Sequence, residues 1–340
     1  MSYFVWVKKM RIRAFPLLVA TASISGLSSG SYAQAIRVDG ASAGTAIGKL
    51  AVEEFQKIKK DALHLVPGIS GSAGGLRKLC ANAIDVANSA RPMLKEELAA
   101  CQKAGMEFIE LPVAFDAVTV VVNRRNDFVT SLTVDELKRV WGVSAQGKVV
   151  RWSQVNARFP NAPLKLLGPD SQYEQANTFT EAILGPGQPA RHDYMASVDD
   201  RVLVQGVARD VNTLSYLPYA IYLENRGTLK LVPIVSSTNG AAANPSPEAT
   251  ASEAYALLVR PLFLYVNAKS LEKPMVREFV EFTLMNGKRL VQAARYTPLS
   301  EAAYKLGLAH VRGRSIGTAW GGTVPVGVTP GEVEKRLATL

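Results

Sequence analysis

The sequence predicts an α/β protein of two lobes, each a mainly parallel sheet with flanking helices. Short β-branched runs alternate with helical patterns from Ile36 to Ala294, and that alternation calls for helices layered on parallel strands. About 305 residues follow position 35 of the 340-residue chain, more than one hydrophobic core usually fills before a chain divides. The composition, 48% hydrophobic and 20% charged, is that of a folded globular protein.

Residues 1–35 read as a secretory signal peptide. Lys8, Lys9, Arg11 and Arg13 form a positive n-region, and Ala14 to Leu27 is an uncharged run of apolar and small residues. Ser31-Tyr32-Ala33 and Ala33-Gln34-Ala35 both have the small-x-small form that precedes cleavage, so a cut after Ala33 and a cut after Ala35 are both open. The apolar run is too short, and too rich in Ser and Gly, to span about 30 Å of hydrocarbon. No Cys follows the cleavage region, so a lipid anchor is not expected. The processed chain is expected to be soluble and periplasmic.

Ile36 to Gly40 is a strand ending in a turn, and a helix runs from Ala46 to about Lys59 with Ile47, Leu50, Ala51, Val52 and Phe55 on one face. Leu63 to Val66 and Ile84 to Ala87 are strands, separated by the Gly/Ser-rich loop Gly68 to Gly75 and a helix opening at Leu76. Pro92 to Ala104 is helical, with Pro near its first turn. Phe108 to Asn123 reads as two strands, the second from Ala117. Thr133-Val134-Asp135-Glu136 is a capping box. Leu164 to Leu167 is a strand, and Pro169-Asp170-Ser171 opens a helix reaching about Leu184, with Ser171 and Glu174 at capping-box spacing. Asp199 to Ala208 is a helix. Leu214 to Tyr222, Leu229 to Ile234 and Pro261 to Val266 are strands, and Pro274 to Ala294 is one amphipathic helix. Residues 313–340 are expected to form a Gly/Thr/Pro-rich tail, mobile or packed on the surface, with Trp320 alone among small residues.

Net charge is +10, and the four basic residues of the leader account for four of it, leaving +6. That favours an anionic ligand or surface. The basic residues are scattered singly, without a basic arm or interleaved aromatics, which argues against nucleic acid. Cys80 and Cys101 are the two cysteines; in an exported chain an even count points to a disulfide, with two buried thiols as the alternative.

Several segments together resemble the phosphate-binding receptors of ABC transporters, within the type II periplasmic solute-binding superfamily. Asp39-Gly40-Ala41-Ser42 is similar to their first loop, and Gly71-Ser72-Ala73-Gly74-Gly75 to their second. Ile84 to Pro92 resembles their strand-end signature, and Phe108 to Asp116 the segment crossing between lobes. Thr133 to Leu137, Phe179 to Ile183, Phe279 to Phe282 and Tyr296 to Leu299 fit the remainder, so the resemblance covers residues 36–312. It implies a first lobe of 36–113 plus 259–312, a second of 114–258, and a ligand cleft between them that closes by hinge bending. It further implies a monomer that holds a small oxyanion, phosphate first, for ABC membrane subunits, with no cofactor. Two family features are missing. A Ser-Gly-Thr at a second-lobe helix start is replaced by the Gly168 to Gln175 region, and Ala90 falls where some receptors place an Asp that accepts the phosphate proton.

The residues suggest the same chemistry independently. An oxyanion needs donors, which helix N-termini supply, and Gly lets backbone approach closely. The candidate ligand set is Ser42, Ala43, Ser72, Ser89, Arg91, Ser171 and Glu174. Ser42 and Ser72 are expected to donate to the anion or to serve as N-caps. Ser89 and Arg91 lie at a strand carboxyl end, where ligands collect; Arg91 either grips the oxyanion bidentately or makes a rim ion pair. Glu174 either completes a capping box or accepts a proton from the ligand. His64, His192 and His310 lack metal spacing, and no Gly-x-Ser-x-Gly elbow is present, so neither catalysis nor a metal is expected. The competing expectation is a receptor-derived interaction protein that no longer binds phosphate.

Overall fold

The computed structural model describes residues 35–59, 64–171, 173–235, 240–246 and 255–340. The expected leader therefore lies outside the described residues, apart from Ala35. Thirteen strands are formed among the described residues: β1 Ala35–Gly40, β2 His64–Pro67, β3 Val86–Ser89, β4 Phe108–Asn123, β5 Leu132–Thr133, β6 Lys165–Pro169, β7 Met195–Ser197, β8 Thr213–Pro218, β9 Leu229–Leu231, β10 Ile234–Val235, β11 Ala242–Ala243, β12 Val259–Asn267 and β13 Thr297–Pro298. The principal sheet runs β2-β1-β3-β12-β4-β8-β6-β7, with β9 and β13 also on β4. Parallel pairs occupy its flanks, β2-β1-β3 on one side and β8-β6-β7 on the other. Every pair made by β4 or β12 is antiparallel.

β4 is one strand of sixteen residues, all buried, and not the two that were expected. Its first part, Phe108 to Ala117, pairs with β12, and Val118 to Asn123 pair with β8 and β9. A single apolar run thus threads both halves of the sheet, as a strand covered on both faces requires. The helices lie over the sheet. Ser42–Lys59 buries Ile47, Ala51, Val52 and Phe55, and Phe55 meets Phe279 and Phe282 of helix Pro274–Met285. In the second half Phe179 stacks on Tyr216 at 3.9 Å, with Trp141 edge-on to both. Each such side chain withdrawn from water contributes about 1.5–3 kcal/mol.

Three other expectations are corrected. Pro274 to Ala294 is two helices, Pro274–Met285 and Gly287–Ala293, because Asn286 caps the first and Gly287 lets the second pass close to Tyr304: a Cβ there would lie 2.3 Å from its ring. The strand expected to reach Tyr222 stops at Pro218, and Tyr219–Asn225 is helical. Residues 313–340 are integrated rather than peripheral. Trp320 is 2% exposed and meets Phe263 edge-on at 4.9 Å, Gly317 donates to the Phe108 carbonyl, and Pro330–Leu337 is a helix capped by Thr329. The buried Glu110 carboxylate accepts from Tyr265, Thr318 and the Ala319 amide; burial pushes its pKa up despite those bonds. Cys80 and Cys101 are joined by a disulfide linking helix Gly71–Cys80 to helix Lys95–Lys103.

Candidate functional site

Two strand ends and the loops after them build one wall of a cavity. β1 ends at Gly40, whose φ of +137° and whose approach to the Asn88 carbonyl, 1.9 Å from where a Cβ would stand, admit only glycine. Helix Ser42–Lys59 starts two residues later. Helix Gly71–Cys80 packs against the same turn, since a Cβ on Gly75 would lie 2.6 Å from Gly40 Cα. Asp39 ties the two loops together: its carboxylate accepts from the Gly40 amide at 2.7 Å, from the Ser70 amide at 3.0 Å and hydroxyl at 2.9 Å, and from Lys78. Burial alone would raise its pKa, but the bonds from Lys78, Ser70 and Gly40 outweigh it and hold it below the usual carboxylate value.

The opposite wall is the start of helix Glu174–Leu184, whose N-cap is Tyr173. Phe179, buried against Tyr216 and Trp141, fixes that helix from behind. The floor is Arg260 of β12. Its Nε and Nη2 donate to Asp116 Oδ2 at 3.2 and 2.8 Å, and its Nη1 to Thr178 Oγ1 at 3.3 Å. A guanidinium has five donors, so these three bonds leave two. The cavity, about 340 Å³, is lined by Ala41 to Ala43, Ile69 to Gly71, Ala90, Tyr173 to Gln175 and Arg260. Three helix N-termini and a cation therefore face one space, an arrangement that favours an anion.

Of the candidate residues, Ser42, Ala43 and Glu174 line this cavity. Ser72 is fully buried beside it: its hydroxyl accepts from the Ala90 amide at 2.8 Å, and its own amide donates to Glu174 Oε1 at 2.9 Å. Ser89 is buried, with its hydroxyl donating to the Arg91 carbonyl at 2.5 Å. Arg91 grips Glu97 through two 2.8 Å bonds, which engage its guanidinium away from the cavity lining. Ser171 is exposed and does not line the cavity. The Ser171–Glu174 capping box is replaced: the helix starts at Glu174, and the carboxylate that would have reached back to a cap is held by Ser72 across the cleft. Arg260, Tyr173 and Gln175 were not anticipated. The available signal was Arg260 and Asp116, charges inside apolar strands, because a buried charge requires a partner. Among the described residues no group of three or more His, Cys, Asp or Glu converges to hold a metal.

This is a two-lobed α/β solute-binding architecture, with the site where strand ends from both halves meet. Residues 26–286 match the PBP superfamily domain, and the chain belongs to that superfamily. The SphX protein of Synechococcus elongatus is 39% identical over 95% of this chain and 94% of its own length. The phosphate-binding protein PstS of Staphylococcus saprophyticus is 31% identical over 86% and 89%. Among solved structures, a possible phosphate-binding protein from Planctomyces limnophilus superposes with a TM-score of 0.64 at 34% identity, covering 83% of this chain and 99% of that one. A phosphate-bound putative ABC transporter substrate-binding protein from Clostridium perfringens shares the fold, with a TM-score of 0.63 at 17% identity, over 78% and 100%.

Proposed function

We propose that this chain is an exported solute-binding protein that holds phosphate, or an oxyanion of the same shape, between its lobes and presents it to the membrane subunits of an ABC transporter. The observation that carries the reading is the convergence of three helix N-termini and Arg260 on one small cavity. Each N-terminus presents backbone N–H donors and about half a positive charge. The PstS relatives and the phosphate-bound structural neighbour support phosphate as the first ligand to test. The donors retained at Ser42, Ala43 and Gly71 favour binding over its loss. Residues 36–113 with 259–312 form one lobe and 114–258 the other, joined through β4 and β12 as hinges. Among the described residues no helix is long and apolar enough to cross a membrane.

Thermal-shift measurement of the leader-free protein with phosphate, arsenate, sulfate, phosphonates and sugar phosphates tests the reading. A ligand at a hundred times its Kd adds about 2.7 kcal/mol to stability, so phosphate is expected to raise Tm by several degrees. A Tm unmoved by every oxyanion refutes it. Intact mass of the exported protein tests processing after Ala33 or Ala35.

A further inference from the structure

Glu174 is the first residue of its helix, whose N-cap makes no side-chain bond. Its Oε1 nevertheless accepts from the amide of Ser72, 102 residues away, in the first turn of the helix on the facing wall. A carboxylate presents what a helix N-terminus selects, a negative charge with two acceptor oxygens. Among the described residues no ion pair involves Glu174: Arg91 pairs with Glu97 and acts on Glu174 only through longer-range charge, and Arg260 pairs with Asp116 while keeping two donors for the cavity. The carboxylate therefore stands among the donors of the cavity as a bound anion would, tethered to one lobe and held by the other.

We infer that Glu174 is a built-in competitor for the anion site: it takes the Ser72 donor, draws the two walls together, and must be displaced before a dissolved oxyanion can use that amide. This rests on the oxyanion-receptor reading above. Two negative groups at one N–H repel each other, which opposes joint occupancy. The fraction of protein whose Ser72 donor is free sets the apparent affinity, because Kd rises as the competent fraction falls. Glu174 thus sets the concentration at which the receptor responds, and it does so most strongly against the more highly charged forms of the ligand.

Isothermal titration of inorganic phosphate into the wild type, Glu174→Gln and Glu174→Ala reads the competition. Small-angle scattering of the phosphate-free proteins reads the closure, and circular dichroism verifies that each variant is folded. Loss of a hydrogen bond to a charged group corresponds to roughly tenfold or more in affinity, so Glu174→Ala is expected to bind phosphate at least tenfold more tightly, with Glu174→Gln between it and the wild type. The phosphate-free Ala variant is expected to be more extended than the wild type. Binding by the wild type that equals or exceeds that of the Ala variant overturns the inference and leaves the receptor reading standing. If none of the three binds phosphate, the receptor reading fails instead; scattering then decides the role of Glu174, and an unchanged radius of gyration in the Ala variant overturns it.

Discussion

Asp116 and Arg260 face each other in the β4–β12 register, with Arg260 Nη2 donating to Asp116 Oδ2 at 2.8 Å and side chains only 2% and 7% exposed. The pair links strands β4 and β12, and its Arg260 side lines the cavity. Removing one partner leaves an uncompensated buried charge, at a cost of about 3–5 kcal/mol. Arg260→Gln is expected to lower stability by that amount and to abolish phosphate binding. The double variant Asp116→Leu/Arg260→Met is expected to regain most of the stability but none of the binding, since apolar replacement of a buried pair is often neutral. Urea unfolding with phosphate titration separates the two effects, and phosphate binding by the double variant would show that Arg260 serves only the fold.

Ser72 supports the cavity wall through its hydroxyl, which satisfies the buried Ala90 amide. Ser72→Ala strands that amide, so a loss of about 1–3 kcal/mol is expected in the ligand-free protein. Phosphate affinity should fall less than stability does, because the Ser72 backbone amide remains. A variant as stable as the wild type with impaired binding would instead assign the hydroxyl to the ligand.

The Cys80–Cys101 bridge closes a loop with a sequence separation of 21. A loop of that size contributes roughly 3 kcal/mol in the chain-entropy picture. Cys80→Ala/Cys101→Ala is expected to shift the urea midpoint down while still binding phosphate. A midpoint that does not move would show the loop to be constrained already in the unfolded chain.

Asp200 opens helix Asp200–Arg209, and burial, with the nearby charges of Asp116 and Asp199, raises its pKa to about 6. A carboxyl raised in the folded state adds stability at low pH, and that contribution is lost as pH climbs from about 4 through about 6. Asp193 acts oppositely: the Arg191 guanidinium, helped by the Gly147 amide, holds it at about 2 against a modest opposing effect of burial, so its contribution is lost as pH falls from about 4 towards 2. Asp200→Asn should remove the upper component of the Tm–pH curve and leave the acid limb intact. An unchanged slope between pH 4 and 6 would rule out the assigned shift.

What could be read from the sequence was what is decided locally. Alternating periodicities revealed the α/β layering and all three cavity helices, but not their first residues: Ala46, Leu76 and Pro169 were read where the helices begin at Ser42, Gly71 and Glu174. The rest depends on partners distant in the chain. Arg260 finds Asp116 across 144 residues, so in sequence it resembled a strand boundary. Glu174 finds Ser72 across 102, so Ser171 with Glu174 looked like an ordinary cap. Arg91 has its partner only six residues away, yet Glu97 also fits a first-turn acid of its own helix, and nothing local ranks the two roles.

The packing of residues 317–320 onto β4 and β12 has a consequence in time. Ala319 donates to Glu110 across 209 residues. A ribosome adds about 5–20 residues per second, so roughly ten seconds or more separate the emergence of the buried carboxylate from that of the groups that satisfy it. Until then the groups that satisfy Glu110 do not exist, and contacts of such long sequence separation are slow to form. The core around Glu110 can therefore close only after the C-terminal segment has been made.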